Sequence, residues 1–421
     1  MVSMPTTRFT NFRGFCLAGL VLLLFSAPSQ AENWTRFRGD NGKGASEQKG
    51  IPTTWSPGDY EWNIDLPGVG HSSPVIYGNH LFVTSAIDEG AVRYLFCINA
   101  ATGEQIWSKS IGLNKSSKHE FSSWASSTPA TDGKRVYVPL ADKERLTLAA
   151  WDFDGELVWR RNLGPFTGRH GLGVSPIVYD GMVFMSHDQK GPSSIIALDA
   201  ETGKTVWSTL RTSRETAYCT PMIYQEEGEK PQLICTSGAM GVTSLDPYTG
   251  EMNWMSGEFP LRTVASPVAG EGVIIGSCGQ GGKGGVLMTA VKADLDLPEG
   301  ESRILWKRDR ALPYVPTPVI YKEHLYLWGD NGIVSCVELK TGNNVWTKRV
   351  GGDYFGSTVL IDGKIYIMSE SGKCFVVAAS PKYELLGETD LGDPSHATPA
   401  VANGRLYLRT FHRLACLKAE Q

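Results

Sequence analysis

Side chains able to bind a ligand or transfer a proton recur along this chain, each just before or at the start of a predicted innermost strand. They are His71, Trp124, His170, Tyr218, Arg262, Tyr314, Tyr354 and His396. Imidazoles serve as acid–base groups or metal ligands, and aromatic rings with a few convergent polar groups are typical of small-molecule pockets. We take these eight residues as candidate cofactor-binding groups at one mouth of a central funnel.

A second polar set follows the predicted second strand of several units and should reach the same mouth. It comprises His187, Asp188, Gln280, Asp330, Asn331, Glu370, His412 and Arg413. Asp188, Asp330 and Asn331 offer the hard oxygen atoms that Ca²⁺ prefers, and they are the candidate metal ligands. Two alternatives stay open: Asx residues at loop tips are commonly turn formers, and any such axis collects polar groups around ordered water.

No motif assigns a catalytic residue. Gly279–Gly284 matches GxGxxG, but a strand-like segment follows it where a nucleotide-binding motif needs a helix. Seven cysteines lie beyond Cys16, and this odd number leaves at least one thiol free. Three of them, Cys97, Cys336 and Cys416, hold equivalent repeat positions and are expected in the core. A disulfide between Cys219 and Cys235 stays open.

The elements that must position these groups are repeated hairpins. The segment LDAETGKTVW, ending at Trp207, recurs with substitutions at Trp107, Trp254 and Trp346, and one residue tighter at Trp159. In each copy a Thr-Gly or Asp-Gly turn joins two strands, because glycine supplies the positive φ that the turn requires. Such repetition predicts a modular all-β array.

A Ser-Pro or Thr-Pro pair starts most units, since proline at the first residue of a strand removes no ladder hydrogen bond. Eight starts are found: Ser73, Thr128, Ser175, Thr220, Ser266, Thr317, Thr398 and, without proline, Ser357. Each unit reads as a four-stranded antiparallel meander. The last unit has three strands, and the lone strand predicted at Tyr60–Leu66 supplies the fourth. We predict an all-β, eight-bladed β-propeller closed by its N-terminal strand.

Three regions are predicted: a signal peptide over residues 1–31, a lead-in segment over 32–59 and the propeller over 60–421. Arg8 and Arg13 precede an apolar run, and Ser29-Gln30-Ala31 resembles a cleavage site. We therefore expect an exported protein, periplasmic or extracellular, with no transmembrane segment in the mature chain. The net charge of −4 and the absence of a basic run argue against a nucleic-acid partner. A monomer is expected.

The Asp-x-x-Thr-Gly-x-x-x-Trp repeats resemble the tryptophan-docking repeats of the PQQ-like, quinoprotein-type eight-bladed propellers. The opening FRGDNGKGAS is similar to the Phe-Arg-Gly-x-Asn-Gly start of secreted bacterial members, which are related to the outer-membrane assembly propeller lipoprotein. The resemblance implies two functional branches. Quinoprotein dehydrogenases bind pyrroloquinoline quinone (PQQ) and Ca²⁺ on the axis, whereas the assembly lipoprotein binds protein partners.

The chain departs from both branches. It is shorter than the dehydrogenases and lacks their adjacent cysteine pair and haem domain, and their catalytic Asp cannot be placed on it. It also lacks a lipobox. Our hypothesis is an exported binding or scaffold protein that meets a protein partner or small ligand at the funnel and surface loops. The alternative is a PQQ- and Ca²⁺-dependent oxidoreductase acting on alcohols or sugars.

Overall fold

A computed structural model describes residues 1–6, 32–168, 170–213, 215–282 and 284–420. Residues 32–421 form a unit distinct from residues 1–31. The predicted signal peptide lies outside the described residues from position 7 onward. No helix within the described part of the chain is long and apolar enough to cross a membrane.

Short elements precede the ring or decorate it. Two strands come first, β1 (Ala45–Ser46) and β2 (Tyr60–Asp65), so the predicted lone strand ends one residue early. The described helices are single turns of 3₁₀ type at Asp40–Gly42, Pro57–Asp59 and Asp88–Gly90.

The remaining strands form eight blades, and the bounds in blades 1 to 4 are as follows. Blade 1 holds β3 (Val75–Tyr77), β4 (His80–Ile87), β5 (Val92–Asn99) and β6 (Gln105–Gly112); blade 2 holds β7 (Ala130–Thr131), β8 (Arg135–Ala141), β9 (Leu146–Asp152) and β10 (Leu157–Gly164); blade 3 holds β11 (Ile177–Tyr179), β12 (Met182–His187), β13 (Gly191–Asp199) and β14 (Thr205–Ser213); blade 4 holds β15 (Met222–Tyr224), β16 (Gln232–Ser237), β17 (Gly241–Leu245) and β18 (Met252–Met255).

Blades 5 to 8 repeat this arrangement. Blade 5 holds β19 (Val268–Gly270), β20 (Val273–Gln280), β21 (Gly284–Lys292) and β22 (Ile304–Arg308); blade 6 holds β23 (Val319–Tyr321), β24 (His324–Trp328), β25 (Ile333–Glu338) and β26 (Asn344–Arg349); blade 7 holds β27 (Val359–Ile361), β28 (Lys364–Met368), β29 (Lys373–Ala378) and β30 (Leu385–Asp390); blade 8 holds β31 (Ala400–Ala402), β32 (Arg405–Arg409) and β33 (Arg413–Lys418).

The sheet order confirms the predicted eight-bladed ring and its closure. Each blade is an antiparallel meander, and β2 pairs with β33 as the outer strand of blade 8. One strand was not predicted: β1 pairs in parallel with the innermost strand β27, which makes blade 7 five-stranded. The lead-in can pair there because the axial edge of an innermost strand still has free backbone groups.

The repeated tryptophans lock neighbouring blades together. Each indole N–H of this set except that of Trp254 donates to a backbone carbonyl of the following blade at 2.7–3.1 Å, and the six donors are Trp62, Trp107, Trp159, Trp207, Trp306 and Trp346. The turn glycine lies against the indole of the preceding blade, so that a Cβ on Gly203 would come within 2.6 Å of Trp159. Glycine is therefore required for contact as well as for φ.

Trp254 departs from this pattern because the following blade lacks the Thr-Gly turn. Its indole N–H donates at 3.0 Å to the side chain of Gln232 in its own blade. The Arg303 guanidinium lies over the Trp254 ring, 4.4 Å from its centroid, as a cation–π contact.

Gly387 stands where the eighth tryptophan would be, and the sequence predicts that the outer strand of blade 7 is the least firmly docked. The lead-in fills this place instead. A Cβ on Gly387 would come within 1.9 Å of the Thr53 carbonyl oxygen. The Trp55 backbone N–H donates to Thr389 Oγ1 at 3.2 Å, and the Trp55 indole N–H donates to the Tyr60 hydroxyl at 3.0 Å.

Candidate ligand-binding site on the axis

A closed circuit of hydroxyl groups encircles the axis. The backbone N–H of each start residue donates to the hydroxyl oxygen of the start residue in the next blade at 2.9–3.3 Å, in the order Ser73, Thr128, Ser175, Thr220, Ser266, Thr317, Ser357, Thr398 and back to Ser73. Ser and Thr hold these positions because a hydroxyl accepts one N–H and still keeps a donor.

The lead-in closes the axis beyond this ring, on the side toward which the innermost strands run. Arg36 donates to the Pro221 carbonyl at 2.7 Å, and Arg38 donates to the Pro318 carbonyl at 2.6 Å. Both guanidinium groups are buried, and burial lowers the pKa of each to about 9. Phe37 lies between these two arginines in sequence, and its side chain lines the axial cavity. The axial cavity is therefore blind at this end.

The cavity has a volume of about 720 Å³. Eight of the eleven candidate residues line it: His71, His170, Tyr218, Arg262, Tyr314, His396, Asp330 and Asn331. They converge because each lies a few residues before the hydroxyl ring or at the end of a second strand. The start of every innermost strand faces the same end of the axis.

Three candidates lie elsewhere. Trp124 packs against Gly90, and its indole N–H donates to the Ser116 carbonyl at 2.6 Å. Tyr354 is fully buried, with ring centroids 5.3 Å from Trp328 and 6.0 Å from Phe375. Both aromatic rings therefore serve packing between elements and do not line the funnel.

Asp188, the third, is buried in an ion pair with Arg211. Burial raises the pKa of Asp188, and the neighbouring Arg211 opposes this shift. A carboxylate already neutralised by a buried guanidinium is poorly placed to bind Ca²⁺, because a cation would have to compete with that charge.

The wall formed by blades 3 to 5 is basic and phenolic. Arg262 Nη1 lies 2.9 Å from His170 Nε2, and Nη2 donates to Glu215 at 2.9 Å. Burial disfavours the charged guanidinium, but the hydrogen bond to Glu215 together with the interactions of Tyr314 and Tyr218 outweighs it, so the pKa of Arg262 is raised. Burial raises the pKa of Tyr218 to about 12 and raises that of Tyr314. Both phenols stay protonated and can donate to a ligand.

The wall formed by blades 6 and 7 is acidic. Both Asp330 carboxylate oxygens accept backbone N–H groups, from Tyr314 at 2.7 Å and from Val315 at 3.0 Å. Burial nevertheless raises the pKa of Asp330. Burial and the charge of Asp353 also raise the pKa of Glu370. Three carboxyl groups, those of Asp330, Asp353 and Glu370, therefore line this wall of the cavity.

A long loop between blades 1 and 2 adds residues that were not among the candidates. His119 and Phe121, near its tip, line the cavity. The His119 ring centroid lies 4.7 Å from that of His170, and Phe121 stacks on Phe355 at 5.0 Å. The signal that could have found them is the length of this loop, which greatly exceeds that of a hairpin turn.

The predicted Ca²⁺ and PQQ sites do not fit these donors. Among the described residues no group of three His, Cys, Asp or Glu side chains is arranged to hold a metal ion. The Asn331 side-chain oxygen accepts the Ile333 N–H at 3.3 Å. PQQ is a tricarboxylate, and the one arginine among the described lining residues already pairs with Glu215, beside an acidic wall. The PQQ carboxylates would therefore find no arginine free of an ion pair among the described lining residues, and Ca²⁺ would find no cluster of three such side chains there.

The cysteines offer no redox pair. All seven described cysteines, including Cys219 and Cys235, are free and buried. Burial raises the pKa of Cys97 to about 12 and that of Cys336 to about 11. Thiols in this state are unreactive, which is the behaviour expected of small core residues.

Comparison with known proteins gives one family match and several distant relatives. A family model described as "Outer membrane protein assembly factor BamB" matches residues 92–348. The chain is 22% identical over 325 residues to outer membrane protein assembly factor BamB of Yersinia pestis, covering 73% of this chain and 76% of that protein.

Two solved structures share the fold. The quinohemoprotein alcohol dehydrogenase of Comamonas testosteroni superposes with a TM-score of 0.66 at 14% identity, covering 92% of this chain and 80% of that one. BamB of Moraxella catarrhalis superposes with a TM-score of 0.58 at 13% identity, covering 85% and 96%. At such low identity these likenesses establish the architecture alone. Because the family model covers more than half of the chain, the protein belongs to the BamB-type family of PQQ-like β-propellers.

Proposed function

We propose that this protein is a binding protein, a scaffold in an assembly, and that the blind axial cavity is its recognition site. The observation that carries the proposal is the construction of the cavity. The hydroxyl ring and Phe37 close one end, and the other end is lined by polar and aromatic side chains of several blades. Family membership supports a scaffold role, because the related proteins are described as assembly factors.

We also propose that the chain acts outside the cytoplasm, as a monomer, after cleavage behind Ala31. Two observations support this: the leader pattern in the sequence, and the membership of this chain in a family whose model is that of an outer membrane protein assembly factor. Mass spectrometry of the secreted or periplasmic protein should find a chain that begins at Glu32. An intact N-terminus on cytoplasmic protein would contradict this.

The recognition site can be tested with a library of cationic, anionic and neutral organic compounds, followed by thermal shift of the unfolding midpoint. We expect hits whose effect disappears in Tyr314→Trp, which fills the cavity, and persists in Arg161→Met. Arg161 is exposed on the outer strand of blade 2 and serves as the matched surface control. Hits that are insensitive to Tyr314→Trp, or no hits at all, would contradict a cavity ligand.

The oxidoreductase alternative is tested on the same protein. Calorimetric titration with PQQ plus Ca²⁺, followed by a dye-linked oxidation assay over alcohols and sugars, should show neither binding nor turnover. Tight binding with turnover would overturn the scaffold proposal and would make the funnel residues catalytic candidates.

A further inference from the structure

One corner of the cavity presents two hydrogen-bond acceptors side by side. His396 Nδ1 lies 3.0 Å from the Phe121 carbonyl oxygen. A carbonyl can only accept, so Nδ1 carries the proton and Nε2 of the neutral ring carries a lone pair. Nε2 faces the Glu370 carboxylate, with Oε1 at 3.6 Å. The His396 side chain is only 4% exposed.

Neither acceptor has a side-chain donor among the described residues. His396 Nε2 has no hydrogen-bond partner among the described residues. Within that part of the chain, no lysine or arginine stands within ion-pair distance of Glu370. The nearby cations are engaged elsewhere: Lys118 Nζ donates to the His119 carbonyl, and Arg409 donates to Ser85 Oγ. A buried acceptor without a donor is unfavourable, so the unpaired His396 Nε2 points to a donor supplied by a bound group.

Aromatic rings complete the corner. The Phe355 ring centroid lies 4.2 Å from that of His396, and Phe121 stacks on Phe355 at 5.0 Å. His71 lies 4.6 Å from His396 on another side. Aromatic faces attract cations and accommodate the alkyl chain that carries them.

The chemistry of these groups selects an organic cation over a metal ion. A metal would need at least a third ligand, and the described residues contain no such group of three. An ammonium or guanidinium group carries several N–H donors and a positive charge, and so can serve both acceptors at once. A carboxylate ligand would instead meet the charge of Glu370, with that of Asp353 nearby.

We propose that His396 and Glu370, with Phe121 and Phe355, bind an N–H-bearing organic cation, either a free amine or the side chain of a partner's lysine or arginine. This proposal rests on the proposed function, because it names the ligand class of the same cavity. One N–H donates to His396 Nε2, another donates to the Glu370 carboxylate, and the alkyl chain lies against the two phenylalanine rings.

The test uses three molecules of one chain length, n-hexylammonium, 1-hexanol and hexanoate, titrated by calorimetry into the mature chain at pH 7. We expect hexylammonium to bind at least about tenfold more tightly than the other two, since charge-assisted hydrogen bonds exceed neutral ones. Equal or tighter binding of hexanol or hexanoate would overturn the proposal, as would no binding of hexylammonium. This comparison needs no variant and does not depend on a variant's folding.

Two variants assign the binding to this corner. Glu370→Gln should weaken hexylammonium binding about tenfold, whereas Glu384→Gln, the same change on an exposed residue of blade 7, should leave it unchanged. The ¹⁵N signal of His396 Nε2 should shift on binding, because the lone pair gains a donor. An unchanged signal, or equal effects of the two variants, would overturn the assignment.

The source of the cation is decided by a second pair of molecules, an acetyl-Gly-Lys-Gly-amide peptide and its side-chain-acetylated form. Tighter binding of the unmodified peptide than of hexylammonium supports a partner's side chain, and the reverse supports a free amine. Tight binding of an anionic or neutral library compound, lost in Tyr314→Trp, would overturn this inference while leaving the cavity as the recognition site. Failure of every compound to bind would count against both.

Discussion

Two histidines of the funnel, His71 and His396, are held neutral by burial. Burial lowers the pKa of His396 to about 4, and the charge of Lys118 adds to this while the Phe121 carbonyl opposes it. Burial, together with His396 and Arg409, lowers the pKa of His71 well below its usual value. A proton can therefore reach these rings at mild acidity only in the unfolded chain, which couples the stability of the funnel to pH.

This coupling predicts a pH-dependent stability. Between pH 6.5 and 4 the unfolded chain binds a proton at position 396 that the folded chain does not, so the free energy of unfolding should fall as pH falls through this window. For a pKa of about 4 the loss between pH 7 and 4.5 is roughly 2–3 kcal/mol. In His396→Asn the amide can still donate to the Phe121 carbonyl. Urea unfolding of this variant should show a smaller loss of unfolding free energy over the same pH range than the parent chain. Equal losses in variant and parent would contradict this account.

At the scale of the element, the Thr-Gly turn is the device that joins blades. Asp199 organises one copy: its side chain accepts the Thr202 N–H at 2.7 Å, and its carbonyl accepts the Gly203 N–H at 2.8 Å. This local arrangement presents Gly203 to the Trp159 indole, whose N–H donates to the Ala200 carbonyl at 3.0 Å. One turn therefore provides both a flat contact and an acceptor for the neighbouring blade.

Gly203→Ala should be more destabilising than an ordinary glycine substitution. The φ of Gly203 is 67°, and its Cβ would lie 2.6 Å from Trp159. Gly181→Ala is the matched control in the same blade, because its φ is 73° with nothing within 4 Å. We expect Gly181→Ala to lower the free energy of unfolding by about 1–2 kcal/mol through backbone strain. Gly203→Ala should lower it by about 1–3 kcal/mol more, because its Cβ overpacks against the indole. Equal losses in urea unfolding would show that the indole contact is unimportant.

At the scale of the whole molecule, the lead-in completes the ring from within. Trp34 pairs with Ile76 in blade 1, Arg36 reaches blade 4, Arg38 reaches blade 6, and Gly44 accepts an N–H from Leu360 in blade 7. The segment therefore ties together blades 1, 4 and 6, which are not neighbours in the ring, and it also reaches blade 7. It adds to the closure that β2 provides at the outer edge and that the hydroxyl circuit provides at the axis.

A chain that begins at Asp59 keeps β2 but loses these ties. We expect its free energy of unfolding to fall by at least about 3 kcal/mol relative to a chain that begins at Glu32, because the buried Trp34 and Ile51 are removed. The cavity should also open at its blind end, so binding of a cavity ligand should weaken. Unfolding by urea measures the first effect and calorimetry the second. Equal stability of the two chains would contradict a closing role for the lead-in.

The amino-acid sequence alone was sufficient for the architecture: eight blades, the repeated turns before the tryptophans, the start residues and the closing strand at Tyr60. The reason is that turn residues and strand alternation are local sequence patterns, and the same patterns recur in eight repeats. The same reasoning placed eight candidate residues at the cavity, because the position of a residue within its repeat determines which end of the axis it faces.

Only the tertiary structure separated Asp330, at the cavity, from Asp188, which lies at a similar repeat position but is neutralised by Arg211. Trp124 and Tyr354 lie outside the cavity lining. The Phe121 carbonyl is hydrogen-bonded to His396, and the lead-in packs against Gly387. Each of these outcomes depends on a partner in another segment or in a loop outside the repeat. Local patterns carry no record of such pairings, because distant side chains meet only once the ring has closed.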